Sequence, residues 1–120
     1  MRFKAAFASL IVLGLAILLY AQRAQETYQD LVQECESTDQ VIRRTCERYL
    51  KGFVDAIFVS GEALTYSGLA KSREICVPDG ATVEQVRRII ISHASKFPQL
   101  LHFPARFNVR DALLDAFPCG

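Results

Sequence analysis

The hydrophobic pattern changes character near residue 21. From Ala5 to Ala21 every position is apolar except Ser9 and Gly14, and Arg2 and Lys4 precede the run. A basic start followed by such a run is the pattern of a secretory signal. The run falls short of the ~20 residues that span a bilayer, so an uncleaved anchor is the second choice. Cleavage is expected after Ala21, although Leu19 is large where a small residue is wanted. No cysteine closes the run, which argues against a lipoprotein anchor. This divides the chain into a signal segment, 1–21, and a single domain, 22–120.

Helical periodicity takes over in that domain. Glu26 to Gln33 predicts a short helix, with Thr27 and Asp30 as a capping-box-like pair. Tyr28, Leu31, Val32 and Cys35 fall on one of its faces. Ser37-Thr38-Asp39 is turn-like, and Thr38 or Asp39 can cap the next helix. That helix is long and amphipathic, expected from about Gln40 to Leu64, burying Ile42, Cys46, Tyr49, Leu50, Phe53, Ile57 and Leu64. Its stretch Cys46 to Gly61 reads as the buried centre of the domain. Gly52 and Gly61 interrupt it, each costing on the order of 1 kcal/mol relative to Ala. The simplest reason for such a cost is close approach of another helix, although Gly61 can equally mark a helix end.

Residues 65 to 81 read as a loop, with turn chemistry at Ser67-Gly68 and Pro78-Asp79-Gly80. Thr82 and Gln85 form a second capping box. The helix they open is expected to bury Val83, Val86, Ile89, Ile90, Ala94 and Phe97, and Phe97-Pro98 stops it. Pro104 opens a last helix to about Phe117, burying Ala105, Val109, Ala112, Leu113, Ala116 and Phe117. The fold expected is all-α, a small four-helix domain.

Beyond the signal, 44 of 99 residues are apolar, an ordinary globular share. The 12 basic and 13 acidic residues there leave a net charge of −1. That balance gives no electrostatic case for nucleic acid, which needs a basic face. Arg43, Arg44, Arg48 and Lys51 are the densest basic group and read as a solvated helix face.

Four cysteines, Cys35, Cys46, Cys76 and Cys119, lie beyond the signal, with no C-x-x-C among them. An even count in an exported chain reads as two structural disulfides, and the spacing disfavours zinc or thioredoxin-like chemistry. The last two helices should form an antiparallel hairpin turning near residue 100. Cys76 lies about as far before that turn as Cys119 lies after it. Register therefore favours Cys76–Cys119, leaving Cys35–Cys46. The rival set, Cys46–Cys76 with Cys35–Cys119, stays open.

Candidate chemistry is sparse. His93 reads as a partly exposed helix residue and His102 as loop packing or a cap. Neither has a nucleophile or paired carboxylate beside it. Asp30 with Glu34, and Asp111 with Asp115, read as solvated pairs. Asp55, near the inner part of the long helix, is expected to cap a loop amide or to pair with an arginine. Tyr49, Phe53 and Phe58 read as core. No cofactor, metal site or catalytic residue is expected.

The ordered set Cys46-x-x-Tyr49-x-x-Gly52-x-x-Asp55-Ala56, Ile75-Cys76-x-Pro78, Thr82-x-x-Gln85, Phe97-Pro98, Pro104-Ala105, Ala112-Leu113 and Phe117-Pro118-Cys119 resembles the Rap/Tai-type immunity proteins over about residues 31 to 120. The family often has His-Pro where this chain has Phe97-Pro98. The resemblance implies a helical, disulfide-bonded periplasmic protein that is not an enzyme. Relatives bind and block peptidoglycan amidase effectors of type VI secretion, often as homodimers, by occluding the active site. Tyr49, Gly52, Asp55, Pro78 and Pro118 would be structural motif residues. The contact surface is expected on exposed loop, around Thr65 to Arg73 or Gln99 to Phe103. The alternative is an acid-stress chaperone of the HdeA type, or another small periplasmic binding protein.

Overall fold

The computed structural model describes residues 14–15, 26–69 and 74–120. Apart from Gly14 and Leu15, the segment read as a signal lies outside the described residues, as do positions 70–73 of the expected loop. Among the described residues from 26 onward, four α-helices succeed one another: α1 (Tyr28–Glu36), α2 (Gln40–Tyr66), α3 (Val83–Lys96) and α4 (Ala105–Ala116). A 3-10 turn, Pro98–Leu100, joins the last two. Among the described residues no helix is long and apolar enough to cross a membrane.

The helix starts are fixed by side chains that satisfy first-turn amides, which have no partner inside the helix. At α1 the Thr27 hydroxyl accepts from the Asp30 N–H while the Asp30 carboxylate accepts from the Thr27 N–H. The Thr27 hydroxyl, which donates to the Asp30 carboxylate at 2.6 Å, and then the Thr27 N–H hold the Asp30 carboxyl below its ordinary range. At α2 the Asp39 carboxylate accepts from the Val41 and Ile42 N–H groups. Thr82 and Gln85 form the reciprocal box at α3. Helix α4 starts without a side-chain cap; instead its first N–H, from Ala105, donates to the Glu26 carbonyl at 2.9 Å.

The centre of the bundle is the shortest helix. α1 packs against each of the other three helices, and Tyr28, Leu31 and Cys35 are wholly buried. Its first turn is held from outside as well: the Tyr28 and Gln29 N–H groups donate to the Phe103 and Leu101 carbonyls, each at 2.9 Å. The expectation that Cys46–Gly61 forms the buried centre is therefore overturned. On α2 only Cys46 and Leu50 are buried, with Tyr49, Phe53, Val54 and Ile57 packed partly against the core. Ile42 and Leu64, expected inside, are exposed. For Leu64, near the far end, the physical reason is length. A 27-residue helix runs about 40 Å, and its neighbours are far shorter.

Two further corrections concern glycine. A Cβ on Gly52 would meet nothing within 4 Å, so no helix approaches there. Gly61 does not end α2, which continues to Tyr66. The left-handed residue is Gly68, with φ of 72°, just past the C-cap Ser67. That is a conformation glycine adopts without the Cβ clash other residues meet.

On α3 the buried face is Val86, Ile90, His93 and Ala94. Phe97 closes the helix as its exposed C-cap, and Val83 and Ile89 pack only partly. On α4 it is Ala105, Asn108, Val109, Ala112 and Leu113. Ala116 lies outside this face and Phe117 is half-buried. Asn108 escaped the apolar pattern because it is polar. Its amide donates to the Leu100 and Pro104 carbonyls, each of which also accepts a backbone N–H, from Phe103 and Phe107 respectively.

Both disulfides match the register argument: Cys35–Cys46 and Cys76–Cys119. The first ties α1 to α2 across the intervening turn. The second ties the chain before α3 to the C-terminus, where Ile75 and Pro118 form an antiparallel bridge.

This division of the core predicts a contrast in stability. Ile90→Ala should lower the unfolding free energy by about 2–5 kcal/mol. Val59→Ala, on the exposed far half of α2, should stay within ~0.5 kcal/mol. Denaturant titration of both variants checks this, and similar losses would contradict a core confined to the near half of α2.

Candidate functional site

The far half of α2 carries apolar side chains that the bundle does not cover. Val59 is 65% exposed and Tyr66 is 96% exposed, and Leu64 and Leu69 are exposed beside them. Two causes meet here: the helix outruns its partners, and the apolar pattern continues beyond them. Exposed apolar side chains clustered along one half-helix are candidates for an interaction surface.

Beside this half-helix lies an open apolar groove. Leu50, Val54, Ile57 and Phe58 of α2 form one wall. The chain from Ile75 through Val77, Pro78 and Ala81 to Val83 forms the other. The groove has a volume of about 660 Å³, within the range of ligand and anchor-residue sites. Polar groups stand at its edge: Lys51, Asp55 and Asp79. Asp55 is an exposed side chain whose carboxylate pairs with Lys51 Nζ at 2.7 Å, one turn earlier on α2. It neither caps a loop nor meets an arginine, contrary to expectation. An exposed pair of this spacing contributes about 0.3–0.5 kcal/mol.

The other named residues are dispersed. Tyr49 stacks near Phe53, with ring centroids 6.1 Å apart, and burial pushes its phenol upward. Gly52 sits on the exposed side of α2. Pro78 lines the groove, while Pro118 pairs with Ile75 behind it. Of the expected motif residues, Asp55 and Pro78 come together at the groove and the others do not. Arg43 pairs with Glu47 at 3.8 Å on α2. Across from it on α3, Arg87 binds Glu84 and also donates to the Cys35 carbonyl at the end of α1.

The two loops expected to carry contacts differ. Thr65 and Tyr66 belong to α2, and Ser67 to Leu69 turn away from its end. Gln99 to Phe103 is tied into the fold: its carbonyls hold the start of α1, and the His102 ring packs on Phe103 with centroids 4.3 Å apart. It serves mainly as a support for α1, with the exposed Phe103 ring as its outward feature.

His93 is not the partly exposed residue expected. It is buried, and its Nδ1 lies 3.0 Å from the Tyr28 hydroxyl. That hydroxyl also lies 3.0 Å from the Ile90 carbonyl; with its single proton donated there, Nδ1 donates to the phenol oxygen, and with the proton on the Nδ1 side, Nδ1 accepts. The far side of the ring opens on a depression lined by Phe97, Leu100, Asp111 and Asp115. Burial lowers the His93 pKa from its ordinary 6.5, with Asp115 and Asp111 acting against the shift and Lys96 with it. Burial also raises the Tyr28 phenol far above its usual range. Among the described residues no group of three His, Cys, Asp or Glu side chains comes together to hold a metal, and all four cysteines are bonded.

The groove and its exposed helix were not legible as a site because periodicity assigns a face and not a partner. The one available signal was the apolar stripe of α2, which extends past the reach of the neighbouring helices among the described residues.

A family model described as Rap1a immunity proteins matches residues 27–119. No curated protein and no solved structure gives a significant match.

The His93 environment predicts the sign of one pH effect. A histidine whose folded-state pKa is depressed binds fewer protons folded than unfolded. Its stabilising contribution is full above pH 6.5 and is lost as pH falls through the lowered folded value. Denaturant titrations of the wild type between neutral and mildly acid pH should therefore show falling stability, and His93→Gln should flatten that slope. An unchanged slope in the variant would refute the assignment.

Proposed function

The chain belongs to the Rap1a immunity protein family, and we propose that it works as a periplasmic inhibitor that binds and blocks a type VI secretion peptidoglycan amidase effector. Membership of the family points to an immunity protein for a secreted effector, hence to a protein partner, and such proteins are generally not enzymes. The amidase, the secretion route and the compartment belong to the proposal. Two disulfides fit an oxidising compartment. The apolar run Ala5–Ala21 behind Arg2 and Lys4 supports export, with residues 1–21 as the signal and the remainder as the working domain.

The observation that carries the proposal is the uncovered apolar surface of α2 beside the groove. The effector docks there, with an apolar anchor entering between Val54 and Val77 and with Val59 and Tyr66 against its surface. Binding loses less entropy when the surface is already ordered, and here both walls are fixed by disulfide-tied elements. Inhibition then needs no chemistry from this chain, only that a bound domain covers the effector's catalytic cleft. Pairing of two copies through the exposed α2 stripe is the competing use of the same surface.

The test takes any amidase encoded by a gene neighbouring this chain's own, purified and titrated against the protein. Val59→Asp and Tyr66→Ala should each weaken binding at least about tenfold, the scale of interface anchors, while leaving the unfolding midpoint unchanged. Light scattering of the same samples reads homodimer formation. Absence of binding to any neighbouring effector would overturn the proposal. Holding of unfolded clients at acid pH would then favour the acid-stress chaperone.

A further inference from the structure

The two disulfides are chemically unequal. Cys35 and Cys46 are both 0% exposed, sealed between α1 and α2. Cys76 is exposed and Cys119 is half-buried, next to the C-terminal residue. A reductant in solution reaches the second bridge without opening the core.

That second bridge also holds a wall of the groove. Segment 74–82 contains no helix. Ala81 N–H to Pro78 carbonyl is a local turn bond. The segment is anchored to the rest of the molecule by Ile75, buried in the core with Val77 packed partly against it, and by a clasp with the C-terminus. The Cys76 N–H donates to the Phe117 carbonyl at 2.8 Å and the Cys119 N–H to the Glu74 carbonyl at 3.1 Å. Glu74 also pairs with Arg110 of α4. Ile75, Val77, Pro78 and Ala81 of this segment face the groove. By separation, the bridge closes 43 residues against 11 for the other. It thus removes more freedom from the opened chain.

We propose that Cys76–Cys119 is a redox modification site, a clasp that a dithiol reductant opens selectively and whose opening releases the 74–81 wall of the groove. A thiolate of the dithiol attacks the Cys76 sulfur, forming a mixed disulfide and expelling the Cys119 thiolate, which takes up a proton. The second thiol of the reductant then attacks its own sulfur in the mixed disulfide and releases Cys76. The reductant leaves as a disulfide, and the two cysteines hold the two electrons it lost. The buried Cys35–Cys46 bridge stays closed, so α1, α2 and α3 remain packed. As control over effector docking, the clasp rests on the function proposed above. As a property of the chain it does not.

The experiment titrates the intact folded protein with dithiothreitol, traps free thiols with iodoacetamide, and maps peptides alongside amide hydrogen exchange. Cys76 and Cys119 should become alkylated while Cys35–Cys46 stays bonded. Exchange protection should be lost at Cys76, Cys119 and the 74–81 segment and kept in α1 and α3. Opening of both bridges in one step would overturn the proposal, as would opening of Cys76–Cys119 with protection of 74–81 unchanged. Cys76→Ser with Cys119→Ser should show the same local loss without reductant, and full protection there would also refute it. Effector titration against the selectively reduced protein separates the two readings. Unaltered affinity with an opened clasp removes the groove as docking site, whereas the exchange and alkylation results alone decide the clasp.

Discussion

Tyr28 ties three parts of this molecule together. Its ring is wholly enclosed, and its hydroxyl would be an unmatched polar group without a partner, a loss of about 1–3 kcal/mol. It is matched twice on α3, by the Ile90 carbonyl and His93. The same residue's backbone N–H is bound by Phe103, in the segment leading to α4. One residue therefore sets the position of α1 against α3 and against the entry to α4. The remaining contact of α1, to α2, is covalent through Cys35–Cys46. With these links made, a nine-residue helix that would be marginal alone becomes the centre around which longer helices pack.

The reach of this centre decides the shape of the rest. Only the first half of α2 lies within reach of α1 and α3, so the helix leaves the core partway along while its sequence stays apolar. The groove forms where α2 leaves, because the chain before α3 returns past it in an extended path too short to fill the space. That path has little regular structure, and a disulfide with the C-terminus keeps it in place. The interior bridge and the peripheral one thus answer different problems: one joins the core and the other secures an edge.

Much of the fold was legible in the sequence because it is written in local chemistry. Thr27 with Asp30 and Thr82 with Gln85 marked two helix starts, and both capping boxes form. The disulfide pairing came from hairpin register. What periodicity could not supply was rank among helices. It gave α2 the largest apolar stripe, and hence apparent centrality, although burial depends on which neighbours are long enough to meet that stripe. Leu64 was misplaced for this reason, and Gly52 acquired a close neighbour it does not have. His93 and Asn108 were missed from the interior because polar residues enter cores only where specific partners wait. Those partners, Tyr28 and the carbonyls of Leu100 and Pro104, lie on other elements. The groove was illegible for a related cause, since it is defined by an absence of coverage between segments distant in sequence.

The unsupported half of α2 has an evolutionary side. Residues that bear on the core are constrained together, since a change at one disturbs the packing of the rest. Val59, Leu64 and Tyr66 bear on nothing in the bundle's interior, so substitution there leaves the folded state nearly as stable as before. Variation can accumulate on that surface without passing through poorly folded ancestors. A scaffold that separates its stability from its exposed face in this way can track a changing partner while its interior stands still.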